Sequence, residues 1–303
     1  MIFVKFHGIG NDFILVDGRF KRHDWPSLAR AMCHRNLGVG ADGLIVALPP
    51  HQAQARMRIF NPDGSEPEMC GNGIRCFARF LLEDGILHPD TRRLTVETLA
   101  GVQELELTRD SKDFQARVNM GPPRLSAAEI PVDLPTGAFP RVIDYPLPVD
   151  GRSLDITCVS MGNPHAITFV TEPVSQFPLL ELGPRIERHP LFPRRTNFEA
   201  VRVVDRGHIE LRAWERGAGA TLACGTGACA AVVAASLHGW VDKDVEVTLP
   251  GGTLRISWDG QGPVYMTGPA ERVFWGEWSR LGTPGTEAGD GPVARKGDSA
   301  SVT

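Results

Sequence analysis

Cys70-Gly71-Asn72-Gly73-Ile74-Arg75-Cys76-Phe77-Ala78-Arg79-Phe80-Leu81-Leu82-Glu83-Asp84-Gly85 decides the fold once it is laid against Cys224-Gly225-Thr226-Gly227 and the residues running on to Gly239. In the first copy Ile74, Phe77, Ala78 and Leu81 fall at the spacing of one buried stripe on a helix. In the second, Ala228 to Leu237 is almost wholly Ala and Val, which suits a helix enclosed on every side. Each helix opens at a cysteine and is closed by a glycine 15 residues later. The cysteines are 154 residues apart; Gly10-Asn11 recurs as Gly162-Asn163 at 152, and Thr98-Leu99-Ala100-Gly101 recurs as Thr248-Leu249-Pro250-Gly251 at 150. Three landmarks in one order at a nearly constant offset imply a duplicated unit. The expected fold is α/β: two pseudo-symmetric duplicated domains, each a mixed, mostly antiparallel sheet wrapped around a central helix.

Outward from the helices, short runs bounded by Gly, Pro or Asn read as half-buried strands: Phe3–Phe6, Phe13–Val16, Leu44–Leu48, Ala55–Phe60, Leu94–Thr98, Gln103–Thr108 and Gln115–Met120. Residues 121–150 hold seven prolines and read as a hinge or irregular crossover. We divide the 303 residues into an N-terminal half, 1–118 plus 264–280, and a C-terminal half, 119–263. Residues 281–303, without an aromatic side chain, read as a disordered tail.

Charge is nearly balanced, 32 Lys+Arg against 36 Asp+Glu, with no basic block to track a phosphate backbone, so nucleic-acid binding is not expected. The opening residues lack a signal-peptide pattern and no 18-residue apolar run occurs, so a soluble cytoplasmic protein without membrane contact is expected. Six cysteines without a C-x-x-C pair read as free thiols, with Cys33, Cys76, Cys158 and Cys229 in the core.

Cys70 and Cys224 differ, because each precedes a Gly-rich turn into a helix, where unpaired N–H groups and the helix dipole favour negative charge. A thiol there is expected to ionise more easily. The glycines at 71, 73, 225 and 227 leave the N–H groups open to a ligand carboxylate. Two facing thiols suit inversion of a stereocentre, one sulfur taking a proton and the other returning one on the opposite face. Such a reaction needs no cofactor, and no Schiff-base lysine context or metal-ligand spacing is visible.

The stretch from Asn61-Pro62-Asp63-Gly64 through Cys70 to Cys76, and Glu215-Arg216-Gly217-Ala218-Gly219 through Cys224 to Gly227, resemble the diaminopimelate epimerase family. His7-Gly8-Ile9-Gly10-Asn11-Asp12-Phe13, Asn36-Leu37-Gly38-Val39-Gly40-Ala41-Asp42, Gly162-Asn163-Pro164-His165 and Met266-Thr267-Gly268-Pro269-Ala270 extend the likeness across residues 1–278. The resemblance implies cofactor-independent interconversion of LL- and meso-diaminopimelate by a homodimer, toward lysine and peptidoglycan. It implies Cys70 and Cys224 as the acid and base pair. Gly71, Asn72, Gly225 and Thr226 would hold the carboxylate at the reacting centre, with Asn11, Asn61, Asn163, Asn197, Glu215 and Arg216 on the substrate's other groups. His165 and Glu215 would tune the thiols, and Phe274 is a candidate dimer contact. Gly43 stands where some members carry Gln. Asn72 stands where proline racemase-like enzymes typically carry His, and phenazine-type isomerases do not keep both cysteines.

Overall fold

The computed structural model describes residues 1–109, 114–134 and 140–279, so the tail expected at 281–303 lies outside the described residues. The first copy runs β1 (Ile2–Gly8), β2 (Asn11–Asp17), α1 (Trp25–Cys33), β3 (Gly43–Leu48), β4 (Ala55–Phe60), α2 (Gly71–Glu83), β5 (Arg93–Thr98), β6 (Gly101–Arg109) and β7 (Phe114–Asn119). After β8 (Tyr145–Val149) the order returns: β9 (Arg152–Ser160), β10 (Pro164–Phe169), α3 (Leu179–Glu187), β11 (Asn197–Asp205), β12 (His208–Glu215), the short β13 (Gly219–Thr221), α4 (Gly225–Leu237), β14 (Asp244–Leu249), β15 (Gly252–Ser257) and β16 (Tyr265–Pro269). β17 (Glu271–Glu277) closes the series.

Strand pairing obeys the repeat. β1–β2, β3–β4 and β5–β6–β7 are antiparallel, as are β9–β10, β11–β12 and β14–β15–β16. β2–β3 and β4–β5 are parallel, matched by β10–β11 and β12–β14. A parallel step needs a crossover. α1 and α3 supply the first in each copy, α2 and α4 the second. β17 flanks β1 as β8 flanks β9. The copies join where β7 pairs antiparallel with β16. There Arg117 faces Thr267, 150 residues on, with Val118 opposite Met266 and Ala116 opposite Gly268. That register is what an approximate twofold through the Arg117–Thr267 pair requires.

The expected strands all occur, but several are buried on both faces rather than half-buried. In β3, Leu44, Val46 and, from β2, Ile14 and Val16 pack against Trp25, Leu28 and Met32 of α1. Their alternates Ile45, Ala47, Phe13 and Leu15 join the core around α2 and α4. α3 covers the second copy's outer face in the same way, with Leu179, Leu182 and Ile186 against Phe198, Ala166 and Ile156. A helix on each face is why these strands read as near-continuous apolar runs. α4 is buried all round from Gly227 to Ala235, as its Ala and Val content requires. α2 and α4 end alike: Ile86 N–H bonds Leu81 O at 2.9 Å and Trp240 N–H bonds Ala235 O at 3.1 Å, with Gly85 and Gly239 at φ +67° and +72°. That left-handed position is why each helix stops at its glycine.

Residues 121–150 are not irregular throughout, because Tyr145–Val149 form β8. Among the described residues β8 pairs with β9 alone, and an edge strand tolerates Pro146 and Pro148, which a central strand would not. α1 and α3 also went unanticipated. α1 is marked by Asp24, whose carboxylate accepts the Ser27 N–H at 3.2 Å, and α3 is masked in the sequence by Pro184 inside it.

Candidate active site

Cys70 and Cys224 are the N-cap residues of α2 and α4, both in extended backbone conformation. Cys70 Sγ accepts the Gly73 N–H at 3.4 Å and Cys224 Sγ accepts the Gly227 N–H at 3.3 Å. A cysteine sulfur thus takes the place that Ser or Asp oxygen fills in an ordinary cap. The two turns abut. Asn72 donates to Ala223 O at 3.3 Å, next to Cys224, and to Asn11 Oδ1 at 3.2 Å. A Cβ on Gly71 would lie 2.8 Å from Met266 Cε, and one on Gly225 3.0 Å from Met266 Sδ, so both glycine turns converge on one side chain of the seam strand.

The sequence-level expectation that the thiols ionise easily is overturned. Burial pushes the Cys70 thiol up, and the charge of Glu215 adds to this against the pull of the Gly73 N–H. Burial likewise pushes Cys224 well up, reinforced by Glu215 and Glu199 and opposed by Thr226 and the Gly227 N–H. The helix starts favour thiolate as expected, but desolvation outweighs them.

Around Cys224 the polar residues interlock. Thr226 Oγ1 lies 3.7 Å from Sγ and accepts from Asn163 Nδ2 at 3.2 Å, while Asn163 Oδ1 is 3.1 Å from His165 Nε2. His165 Nδ1 is 2.7 Å from Glu199 Oε1, and both side chains are fully buried. Glu215 accepts the Thr221 hydroxyl at 2.5 Å, and burial raises its carboxyl despite hydrogen bonds from Thr221 and Cys224. Asn197 is buried; its Oδ1 accepts the Arg216 N–H at 2.8 Å and its Nδ2 has no partner among the described residues. On the other side, Asn11 lies 3.9 Å from Cys70 Sγ through Oδ1 and donates to Asp42 at 2.6 Å.

Two expected site residues are engaged elsewhere. Asn61 is held in a turn, its Nδ2 donating to Ser65 Oγ at 2.9 Å, and the exposed Arg216 guanidinium donates to Arg194 O at 3.0 Å. Two residues were missed. Glu199 shows as a lone acid in the apolar run of β11, two positions after Asn197 and therefore on its face. Arg75, fully buried, donates to Gly71 O and Pro269 O, each at 3.1 Å, and its Nη2 has no partner among the described residues. No spacing in the sequence suggested a metal site, yet His165, Glu199 and Cys224 bring donor atoms within 4.8 Å of one another. They come from three separate elements, which is why spacing did not reveal them, and His165 and Glu199 are already bonded to each other.

The duplicated wrapped-helix architecture is that of a class of solved structures. A probable proline racemase from Agrobacterium radiobacter superposes with a TM-score of 0.68 at 17% identity over 92% of this chain and 93% of its own. A PhzF-family phenazine biosynthesis protein from Bacillus anthracis gives 0.65 at 18% identity over 91% and 97%. Within that class, residues 3–126 and 157–273 match the diaminopimelate epimerase family model. Diaminopimelate epimerase of Moorella thermoacetica is 52% identical over 282 residues, covering 92% of this chain and 99% of its own length. Diaminopimelate epimerase 1 of a Nostoc species is 54% identical over 281 residues, 91% and 98%. The chloroplastic diaminopimelate epimerase of Oryza sativa is 50% identical over 90% of this chain and 79% of its own. The chain belongs to the diaminopimelate epimerase family and is an enzyme of the isomerase class. No helix among the described residues is long and apolar enough to cross a membrane.

Proposed function

We propose that the chain epimerises LL-diaminopimelate to meso-diaminopimelate with Cys70 and Cys224 as a two-thiol acid and base pair. The observation that carries this reading is the meeting of two cysteine-capped helix starts at Asn72, which hydrogen-bonds to the residue before Cys224. The α-carbon sits between the sulfurs; one thiolate removes its proton while the opposite thiol delivers another, so each turnover exchanges the protonation states of the two sulfurs. The α-carboxylate lies on the N–H groups of Gly71, Asn72, Gly225 and Thr226, where two helix starts stabilise the charge that moves into it. Asn11, Asn163, Asn197 and Glu215 take the amino group and the distal end. Asn61 and Arg216, whose side chains now bond Ser65 Oγ and Arg194 O, turn to the substrate's remaining polar groups when it binds. His165 and Glu215 set the ionisation of the thiols. Proton transfer of this kind uses no cofactor or metal.

Turnover of LL-diaminopimelate in deuterium oxide tests the reading: deuterium enters one α-carbon of the product. Cys70→Ala and Cys224→Ala should each lower kcat by roughly 10²-fold or more while the protein stays folded, the lost cap costing on the order of 1 kcal/mol. Binding without exchange, or an active single variant, contradicts the reading.

We further propose that the halves 1–118 plus 264–280 and 119–263 are the mechanical units of the cleft, and that the enzyme is a cytoplasmic homodimer serving lysine and peptidoglycan precursor synthesis. Dimerisation is supported by Val273, Phe274 and Trp275, all exposed on β17. Sedimentation should give twice the chain mass, and Trp275→Glu should shift it toward the monomer.

A further inference from the structure

The twofold equates positions across the copies, and the residues behind the two sulfurs are not alike. Phe13 and Gly43 form a parallel pair in β2–β3, and His165 and Asn197 form the matching pair in β10–β11. Ile45 and Glu199 stand two residues further along β3 and β11. A Cβ on Gly73 would lie 3.0 Å from Ile45 Cδ1, and one on Gly227, the equivalent glycine, 2.7 Å from Glu199 Oε1 and 3.0 Å from Cys224 Sγ. Ile45 therefore stands at the Cys70 turn where Glu199 stands at Cys224, and Phe13 holds in the first copy the frame position that His165 holds in the second.

The pair behind Cys224 is also held in place. Asn163 donates through Nδ2 to Thr226 and its Oδ1 lies 3.1 Å from His165 Nε2. Glu199 Oε1 lies 2.7 Å from the other ring nitrogen, so the imidazole is gripped at both edges. Glu199 Oε2 is buried and has no partner among the described residues. A buried acceptor left open is uncommon.

We propose that Glu199 is a positioning residue that fixes the His165 ring and places its carboxylate beside Cys224, so that this sulfur keeps its proton while the sulfur of Cys70 is free to lose its own. This deepens the two-thiol reading and rests on it. The duplicated frame gives the symmetry that inversion needs, and Glu199 breaks it where protons are assigned. The titratable groups at Cys224 are Glu199 on β11 and Glu215 at the end of β12, which act on its thiol, and His165 on β10, which brings a ring nitrogen within 4.8 Å of the sulfur. Glu215 acts on both sulfurs, whereas Glu199 acts to hold the proton on Cys224 and Arg75 favours the anion at Cys70, so the two unshared charges push the sulfurs apart in the same sense.

The test is the pH profile of kcat/KM for LL-diaminopimelate in wild type, Glu199→Gln, Glu199→Asp and the double variant His165→Phe with Glu199→Ile, which installs the side chains of the other copy. The basic limb reports loss of the second thiol proton. It should move down by about one pH unit in Glu199→Gln and in the double variant, the shift expected when a nearby like charge is removed. Glu199→Asp should keep it near the wild-type position. If Glu199→Gln does not fold, the double variant carries the measurement with apolar packing known to suit the frame. Limbs unmoved in an active variant overturn the proposal while leaving the epimerase reading intact. Wild type without epimerisation overturns that reading and this inference with it.

Discussion

A cysteine that caps a helix sits between two opposed forces, a field that favours its anion and a burial that penalises it. At Cys70 and Cys224 burial prevails, and both thiols lie above the ordinary range. The consequence has a sign. A raised thiol stays protonated until higher pH, so the thiolate needed for proton removal accumulates only on the alkaline side. The acid limb of kcat/KM should therefore fall on the alkaline side, near or beyond the ordinary thiol range, rather than below neutrality. A limb at acid pH would mean the helix starts dominate after all. The cysteine pair was legible in the sequence because repeat and motif both mark it. The ionisation was not, because desolvation depends on the surrounding strands, not on the capping residues. Glu199 escaped for a related reason: nothing local distinguishes an acid that meets a histidine from a neighbouring strand.

Elements were read best where their period was unmixed. α2 and α4 were both located from pattern and closing glycine together, but the single stripe expected for α2 understates its burial: Arg75, Cys76, Phe80 and Leu82, outside that stripe, are buried too, as befits a helix enclosed like α4. α3 carries Pro184 and β8 carries Pro146 and Pro148, and in each case tertiary packing overrides a local breaker. The glycines that end and begin α4 separate two kinds of constraint. Gly239 has a left-handed backbone and open space around its Cβ position. Gly239→Ala should cost about 1 kcal/mol of stability, read by thermal or urea denaturation, with activity retained. Gly227 has no such backbone, but its Cβ would press on Glu199 and on Cys224 Sγ. Gly227→Ala should abolish turnover with a stability loss of about 1–3 kcal/mol. Equal activity in the two variants would show that the close approach at Gly227 does not matter.

At the scale of the molecule, duplication was legible as three offsets, and it dictates the pairing of β7 with β16 and the burial of α2 and α4 in one core. The division that put residues 264–280 with the N-terminal half already returned this segment to the first copy, but nothing in Glu271–Glu277 names β1 as the strand it pairs with. Yet Met1 N and Trp278 O are 2.7 Å apart, and Ile2 faces Glu277 in the β1–β17 ladder. Ending the chain at residue 270 leaves an edge of β1 unpaired, and such an edge recruits other strands. That truncation should aggregate on refolding, measured by light scattering, whereas a chain ending at residue 279 should not. The same closure sets an order on the ribosome. β1 is made first and its partner β17 last, an interval on the order of tens of seconds at usual elongation rates. Until then β1 lacks the strand that covers its second edge, so the nascent protein depends on whatever shields that edge during synthesis.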